Sequence, residues 1–536
     1  MISNLPACLD DFISLCEDCE AIQKEVLKDI VKNAKNTEIG KKFDFKTIND
    51  VDMFRHHVAV TTWHDIAPLA KRLEEGESDL LFADKPSFFI CTSGTTGKIK
   101  IIPESQDGKR LKALTGQLRI EAISRFLPSM MKGKLLPLVN HAIEGYTEAG
   151  IPYGSASGIT LITASQEVQK KVAFPMELLE IDYSKSMDYF LMRFAVTEDV
   201  RAIFGNNAGR IAQLIETAQK EADNIINDIE KGTLFGMETL PESIQTKLKK
   251  LMHPNPKLAS SLRKAKQEKG HFLPDIYWPN LQVVVCWLSG SVGRYVKTLT
   301  PFLSKDILFF DVGYGATEGK FNIPLEPNNA AGVLSIYSAF YEFQESGSDD
   351  FLMAHELQNN KSYELYVTTY SGLYRYRMDD IIRVDGFVGT TPKIVFENKA
   401  GEILNISGEK VAASSLIPIV NQAVLEITKQ TPYHWCVVAD DEKKCYHFCI
   451  ELPLETIYSK ESAVQIANRL ENLLKTKTFI YPIFREQKLI NKLRLTLMKN
   501  GWQEALYAEH LKNGRSNAQI KLPLIYADIP KKEFIL

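Results

Sequence analysis

Cys91-Thr92-Ser93-Gly94-Thr95-Thr96-Gly97-Lys98-Ile99-Lys100 stands between the apolar run Pro86 to Ile90 and the apolar pair Ile101-Ile102. A strand that runs into Ser, Thr and Gly and ends on two lysines presents hydroxyls, exposed backbone N–H groups and positive charge together, the chemistry of a phosphate cradle. Glycine lets the backbone approach an anion closely, and each hydroxyl can donate to a phosphate oxygen. A polar turn between two strands has the same composition. A Walker A loop needs four residues between its glycine and its Gly-Lys pair, then Ser or Thr. Here only Thr95 and Thr96 separate Gly94 from Gly97, and Ile99 follows Lys98, so a P-loop kinase or ATPase is disfavoured.

The chain around this loop has 536 residues, 45% hydrophobic and 24% charged, which predicts an ordinary globular protein of two or more domains. A formal net charge of -3 supplies no global basic field for nucleic acid or an acidic membrane. No uncharged apolar run has spanning length, and Met1 to Pro6 leads to Asp10 and Asp11 rather than to a basic and then apolar leader, so a cytoplasmic protein is expected. Cys16 and Cys19 fall on a helical apolar stripe with Phe12, Leu15, Ile22, Val26 and Leu27, as buried thiols do. Cys445, His447 and Cys449 alternate on one face of a strand, opposite Tyr446, Phe448 and Ile450. With no second Cys-x-x-Cys pair at finger spacing, the expectation is a reduced, structural cysteine set.

Outward from the loop, periodicity predicts one long helix from Asp10 to about Lys35 and short helices over Thr47 to Glu75, with Pro68 assisting a helix start. Gly108 to Met131 reads as a helix, and Gly150 to Gly158 as a second Gly/Ser loop that serves at most as a pocket wall. Glu177 to Lys266 reads as a mostly helical outer layer. Strands Leu281 to Leu288 and Ile307 to Val312 lead into Ser289-Gly290-Ser291 and Gly313-Tyr314-Gly315-Ala316-Thr317-Glu318-Gly319. Two such strand-to-glycine junctions suit an α/β sheet whose ligand lies beyond the carboxyl ends of its strands. Ser362 to Thr369 alternates as a strand, and Gly372 to Ile382 packs aromatics, arginines and two carboxylates together. A composition change after Gly386, at Thr390 to Pro392 and Lys399 to Gly401, marks a boundary. Beyond it a smaller α/β unit is expected: a helix from about Ala412 to Gln430, a hairpin from His434 to Leu452, and helices Ser462 to Lys475 and Trp502 to Lys512.

Taken in order, these signatures resemble the acyl acid amido synthetase family, known from auxin-responsive plant enzymes and bacterial relatives, a branch of the adenylate-forming superfamily of acyl-CoA synthetases and luciferases. The likeness spans nearly the whole chain: Asn36 to Phe43, Thr92 to Lys100, Trp278 to Leu281, Ser289-Gly290-Ser291 with Tyr295, Tyr314 to Glu318, Phe340 to Phe343, Tyr374 to Asp380 and Asn517 to Pro523. The resemblance implies an α/β fold, with a large multi-layer N-terminal domain (1–397, mixed sheets flanked by helices, binding ATP and the acyl acid) and a small mobile α/β C-terminal lid (398–536).

By the same resemblance Thr92, Ser93, Gly94, Thr95, Thr96 and Gly97, with Lys100, hold the β- and γ-phosphates of ATP, and Gly290 and Ser291 join the nucleotide site. Tyr314 stacks on adenine while Gly315 and Ala316 approach it by backbone. Thr317 and Glu318 face the α-phosphate and its Mg2+, with Glu318 as the metal ligand. Asp380 accepts hydrogen bonds from the ribose hydroxyls. Lys399 falls where relatives carry a nucleotide-contacting arginine, whose fork lysine cannot reproduce. Lys521 matches the lysine that enters the active site when the small domain closes. Three departures stand out: Asp379 where the family has glycine, Lys399 for arginine, and Leu524 for the arginine after Pro523. At Asp379 either the turn accepts a left-handed Asp or the loop differs.

The implied reaction has two steps. A small carboxylic acid is converted to an acyl-adenylate with release of pyrophosphate, and an amine, an amino acid by family expectation, then displaces AMP. No protein nucleophile is needed, and His141, His271 and His447 are expected to be structural or pocket-lining. No nucleic-acid or membrane partner is implied, and a monomer is expected. A CoA ligase with the same first step, or an inactive nucleotide-binding relative, is the alternative.

Overall fold

The computed structural model describes residues 5–91, 100–181, 186–289, 293, 296–345, 347–400, 403–404, 406–407, 409, 411–453, 460–478, 480–512, 522–526 and 534–535. Its contacts group into two units, 1–378 with 382–395 and 379–381 with 396–536.

At the centre of the first unit lies a parallel sheet of Lys134–Pro137, Val200–Phe204, Val283–Cys286 and Leu308–Asp311, in that order. Val284 and Cys286 face one helical layer, built on Phe190, Met192, Ile211, Leu214 and Trp278. Ala202, Val283, Val285 and Phe310 face the other, with Ile123 and Met130. Helices cover both faces, so Val-Val-Val-Cys reads as one apolar run with no polar alternation. The segment Glu177 to Lys266, expected to be mostly helical, also contributes the Val200–Phe204 strand. This is an inner strand of the sheet and its Ile203 is fully buried.

A second, mixed sheet runs Ile101–Glu104, Phe88–Cys91, Pro152–Gly154, Gly145–Tyr146. Phe88–Cys91 pairs antiparallel with Ile101–Glu104, with Cys91 opposite Ile101, so the two strands bracket the Ser/Thr/Gly loop as a hairpin. Pro152–Gly154, part of the expected loop at Gly150 to Gly158, is a strand parallel to Phe88–Cys91, and Ser155 caps the Ala156–Ile162 helix by accepting from Gly158 N–H at 3.1 Å. The third sheet has seven strands, in the order Phe351–Met353, Ala339–Glu345, Ser362–Thr369, Tyr376–Val388, Thr391–Lys399, Gly332–Leu334, Asn322–Pro324.

The first helix is not continuous. Leu9–Leu15 and Cys19–Ala34 are separated by a single tight turn at Cys16–Asp18. The Asp18 carboxylate caps the second helix by accepting from Ala21 N–H at 3.1 Å, a local bond of about 1 kcal/mol that competes with helical continuity. The Trp63–Glu74 helix likewise starts earlier than its proline suggested. Thr62 and Asp65 form a capping box and Pro68 lies inside the helix.

The second unit is a sheet ordered Arg494–Met498, Cys445–Glu451, His434–Asp440, Ile525–Tyr526. The Ala413–Thr428 and Lys460–Lys477 helices pack their apolar faces onto Trp435, Tyr446, Phe448 and Ile450. The other face carries Cys436 and Cys449 against Met498 and Trp502. His447 Nε2 lies 2.7 Å from the Thr496 hydroxyl. Among the described residues no three His, Cys, Asp or Glu side chains group as metal ligands, and no helix is long and apolar enough to cross a membrane.

Candidate active site

The Leu308–Asp311 strand ends in a carboxylate that anchors the glycine-rich turn after it. Asp311 accepts from Leu288 N–H and Gly313 N–H, each at 2.7 Å, and so joins the ends of two neighbouring parallel strands. Burial pushes its pKa up to about 6, against the opposing pull of the two N–H donors and Arg119. Gly313 has φ +88, and a Cβ there would collide with the Arg119 guanidinium, so conformation and contact both demand glycine.

From Gly313 the chain folds into a tight hairpin. Phe321 N–H donates to Tyr314 O at 2.9 Å, Ala316 N–H to Gly319 O at 2.9 Å, and Gly315 bridges Lys320. Thr317 and Glu318 form its tip. Tyr314 is buried, with its ring 5.1 Å from that of Phe321. Glu318 is half-buried and has no hydrogen-bond or ion-pair partner among the described residues.

The Gln106–Phe126 helix holds this hairpin in place. Lys112, Gly116 and Arg119 follow one another at four- and three-residue spacing and therefore share one face. Lys112 Nζ pairs with the buried Glu104 carboxylate and donates to Thr317 O at 2.8 Å. Glu104 also accepts from the Ser371 hydroxyl at 2.9 Å. Arg119 donates to Asn322 O at 2.7 Å and Tyr314 O at 3.0 Å, and burial lowers its pKa to about 10. One cation thus fixes the tip of the hairpin and the other its base.

Lys100 donates to the Tyr376 hydroxyl at 3.3 Å and lies 6.0 Å from the Trp63 ring centroid. In the second unit Asp380 is 2% exposed and ion-paired with Lys399. Asp379 adopts φ +53 within the Tyr376–Val388 strand, and Ala400 N–H donates to its carbonyl at 2.7 Å. The backbone there therefore accepts a left-handed Asp.

The structure brings Tyr314, Gly315, Ala316, Thr317 and Glu318 together in one hairpin, sets Lys100 against Tyr376, and couples Asp380 with Lys399 in the other unit. Thr92, Ser93, Gly94, Thr95, Thr96, Gly97, Gly290, Ser291 and Lys521 lie outside the described residues. Sequence reasoning missed Glu104, Lys112, Arg119 and Lys320. The signal available was the one-face spacing of Lys112, Gly116 and Arg119, and the position of Lys320 directly behind the tip. His271 Nε2 lies 3.1 Å from the Asp275 carboxylate on the surface, remote in role from this hairpin.

A solved GH3.15 acyl acid amido synthetase superposes with a TM-score of 0.85 at 21% identity, covering 100% of this chain and 97% of its own. A 2-hydroxyisobutyryl-CoA ligase in its postadenylation state superposes at 0.58 and 13% identity, covering 96% and 90%. Residues 8–308, 332–399 and 416–529 match the GH3 family N-terminal, central and C-terminal domains, and the chain belongs to the GH3 family. Indole-3-acetic acid-amido synthetase GH3.4 of Arabidopsis thaliana is 24% identical over 94% of this chain and 89% of its own. Jasmonoyl–L-amino acid synthetase JAR6 of Nicotiana attenuata is 24% identical over 96% and 92%.

Proposed function

We propose that this protein is a cytoplasmic, ATP-dependent acyl acid amido synthetase, which adenylates a small carboxylic acid and passes the acyl group to an amino acid. The supporting observation is the Tyr314–Lys320 hairpin, held at its tip by Lys112 and at its base by Arg119, in a chain that matches the GH3 family along its length. In this reading residues 1–397 form the adenylation domain and 398–536 the lid. The 92–97 loop and Lys100 take the β- and γ-phosphates, with Gly290 and Ser291 beside them. Tyr314, Gly315 and Ala316 take adenine, and Asp380 the ribose.

Carboxylates are poor acyl donors because oxide is a bad leaving group. AMP leaves readily once its charge is met by positioned cations. Thr317 orients the α-phosphate. Lys521 brings an ammonium to it as pyrophosphate departs, and Lys399 releases Asp380 for the ribose. Glu318 fits a Mg2+, being a half-buried carboxylate without a protein partner among the described residues, and the bound ion would neutralise phosphate charge there. Partners are then a small acid and an amine, with neither nucleic acid nor membrane, and the chain acts as a monomer.

Pyrophosphate release with a panel of acids, with and without amino acids or CoA, tests this. Amide formation dependent on an amino acid supports it. Thioester formation with CoA instead assigns a CoA ligase, and silence across the panel assigns a nucleotide-binding relative without turnover.

A further inference from the structure

Lys100, at the end of the Ser/Thr/Gly stretch, meets two side chains that are far apart in sequence. Its ammonium donates to the Tyr376 hydroxyl at 3.3 Å and stands 6.0 Å from the centroid of the Trp63 ring. Those two partners are joined to one another by backbone. Thr61 N–H donates to Arg375 O at 3.0 Å, Arg377 N–H to Thr61 O at 2.9 Å, and the Thr61 hydroxyl to Tyr374 O at 2.7 Å. Two residues on, Trp63 opens the Trp63–Glu74 helix.

The frame is fixed on the Tyr376 side as well. Arg375 stands at φ +44, in the left-handed region that residues other than glycine rarely adopt, and such a conformation persists only where the surroundings over-determine it. Its N–H donates to the Thr368 hydroxyl at 2.9 Å, and its buried guanidinium donates to the Glu342 carboxylate and to Val58 O, each at 2.9 Å. In a regular strand Tyr374 and Tyr376 would share a face. The left-handed residue between them separates the two phenols. That of Tyr374 donates to Leu81 O at 2.6 Å, and that of Tyr376 meets Lys100.

A hydroxyl and an aromatic face hold an ammonium in direction without cancelling its charge. The carboxylates that pair with Lys112 and Lys399 do cancel it. An unrestrained lysine surrenders rotamer freedom when it binds a ligand, whereas one already aimed surrenders little. Resting on the adenylation reading, in which Lys100 takes the β- and γ-phosphates, we propose that Tyr376 and Trp63 are positioning residues for ATP, which pre-orient the Lys100 ammonium towards the terminal phosphates. Both act through Lys100 and neither touches the nucleotide. Their contribution therefore belongs to the triphosphate and is absent from AMP.

The test is calorimetric titration of the full chain with α,β-methylene-ATP and with AMP, each with Mg2+, on wild type, Tyr376→Phe, Trp63→Leu, Lys100→Met and the double variant Tyr376→Phe with Lys100→Met. Thermal melts check folding. Tyr376→Phe should weaken the triphosphate about tenfold, the scale of a hydrogen bond to a charged group, and Trp63→Leu about two- to fivefold. AMP binding should hold within about twofold in both, and in Lys100→Met the added Tyr376→Phe should change triphosphate binding by less than about twofold, since no ammonium is left to aim. Equal weakening of both nucleotides marks a structural role and overturns the proposal, as does unchanged triphosphate binding in either single variant or full additivity in the double variant. Should Trp63→Leu fail to fold, the Tyr376 and Lys100 cycle decides alone. A wild type that binds neither nucleotide removes the adenylation reading and this proposal with it. One that binds both but fails the cycle removes the proposal alone.

Discussion

The Lys112 ammonium donates to the Thr317 carbonyl at 2.8 Å while pairing with Glu104, so one side chain ties the tip of the hairpin to the Ile101–Glu104 strand. Lys112→Met leaves Glu104 buried without its counter-ion. A loss of about 3 kcal/mol in denaturant unfolding is expected, together with a sharp fall in pyrophosphate exchange. Adding Glu104→Gln should restore most of the stability and little of the activity. Recovery of both together would show that Lys112 serves packing alone.

Asp380 lies in an ion pair with Lys399 and is proposed to take the ribose hydroxyls. Asp380→Asn is expected to raise the KM for ATP about tenfold or more, the scale of lost charge-assisted bonds. Wild type should discriminate against 2′-deoxy-ATP and the variant should not. Equal discrimination by both proteins refutes the ribose assignment.

Asp379 stands at φ +53, in the left-handed region that favours glycine. Relief of left-handed strain and loss of chain stiffness oppose one another in Asp379→Gly, so its unfolding free energy should stay within about 1 kcal/mol of wild type. Asp379→Val, with a branched Cβ, should cost about 1 to 2 kcal/mol. Indifference to valine would show that the turn relaxes in solution.

Asp311 has its pKa raised by burial to about 6 from the ordinary value of 3.8. The folded protein therefore binds more protons than the unfolded chain between these values. The contribution is full below the unfolded pKa and is lost as pH rises through about 6. Lys320 behaves in the opposite sense. Lowered to about 7, it makes stability rise with pH from about 7 towards its unfolded value. Melting curves from pH 4 to 10 should show Asp311→Asn flattening the acid side of the profile and Lys320→Leu the alkaline side. If both variants run parallel to wild type, these groups titrate normally in the fold.

Motifs in loops were legible because glycine, aromatics and carboxylates at fixed offsets have few structural uses. The Gly-rich loop from Tyr314 to Glu318 follows its strand as expected, while Asp379 lies at φ +53 within the Tyr376–Val388 strand. The Ser362–Thr369 strand, whose alternation is plain, also stands where it was expected. Continuous patterns hid the breaks. The apolar stripe runs unbroken through Cys16–Asp18, so only the cap geometry of Asp18 reveals two helices. Val200–Phe204 is a sheet strand flanked by charged helices, and five residues are too few to set a period. Lys112 and Arg119 were overlooked for another reason. Basic residues on an amphipathic helix read as a solvated face until the fold sets a hairpin against them.

Cys16, Cys19, Cys91 and Cys286 are buried, and desolvation pushes each thiol up to about 12. Under the proposed reaction this chain manufactures a mixed anhydride, a potent acylating agent, and Cys91 ends the strand that enters the phosphate loop. A thiolate there would capture the acyl group and inactivate the catalyst on its first turnovers. Keeping these sulfurs protonated and out of water lets the protein make a reactive anhydride without labelling itself, and spares the product for the incoming amine.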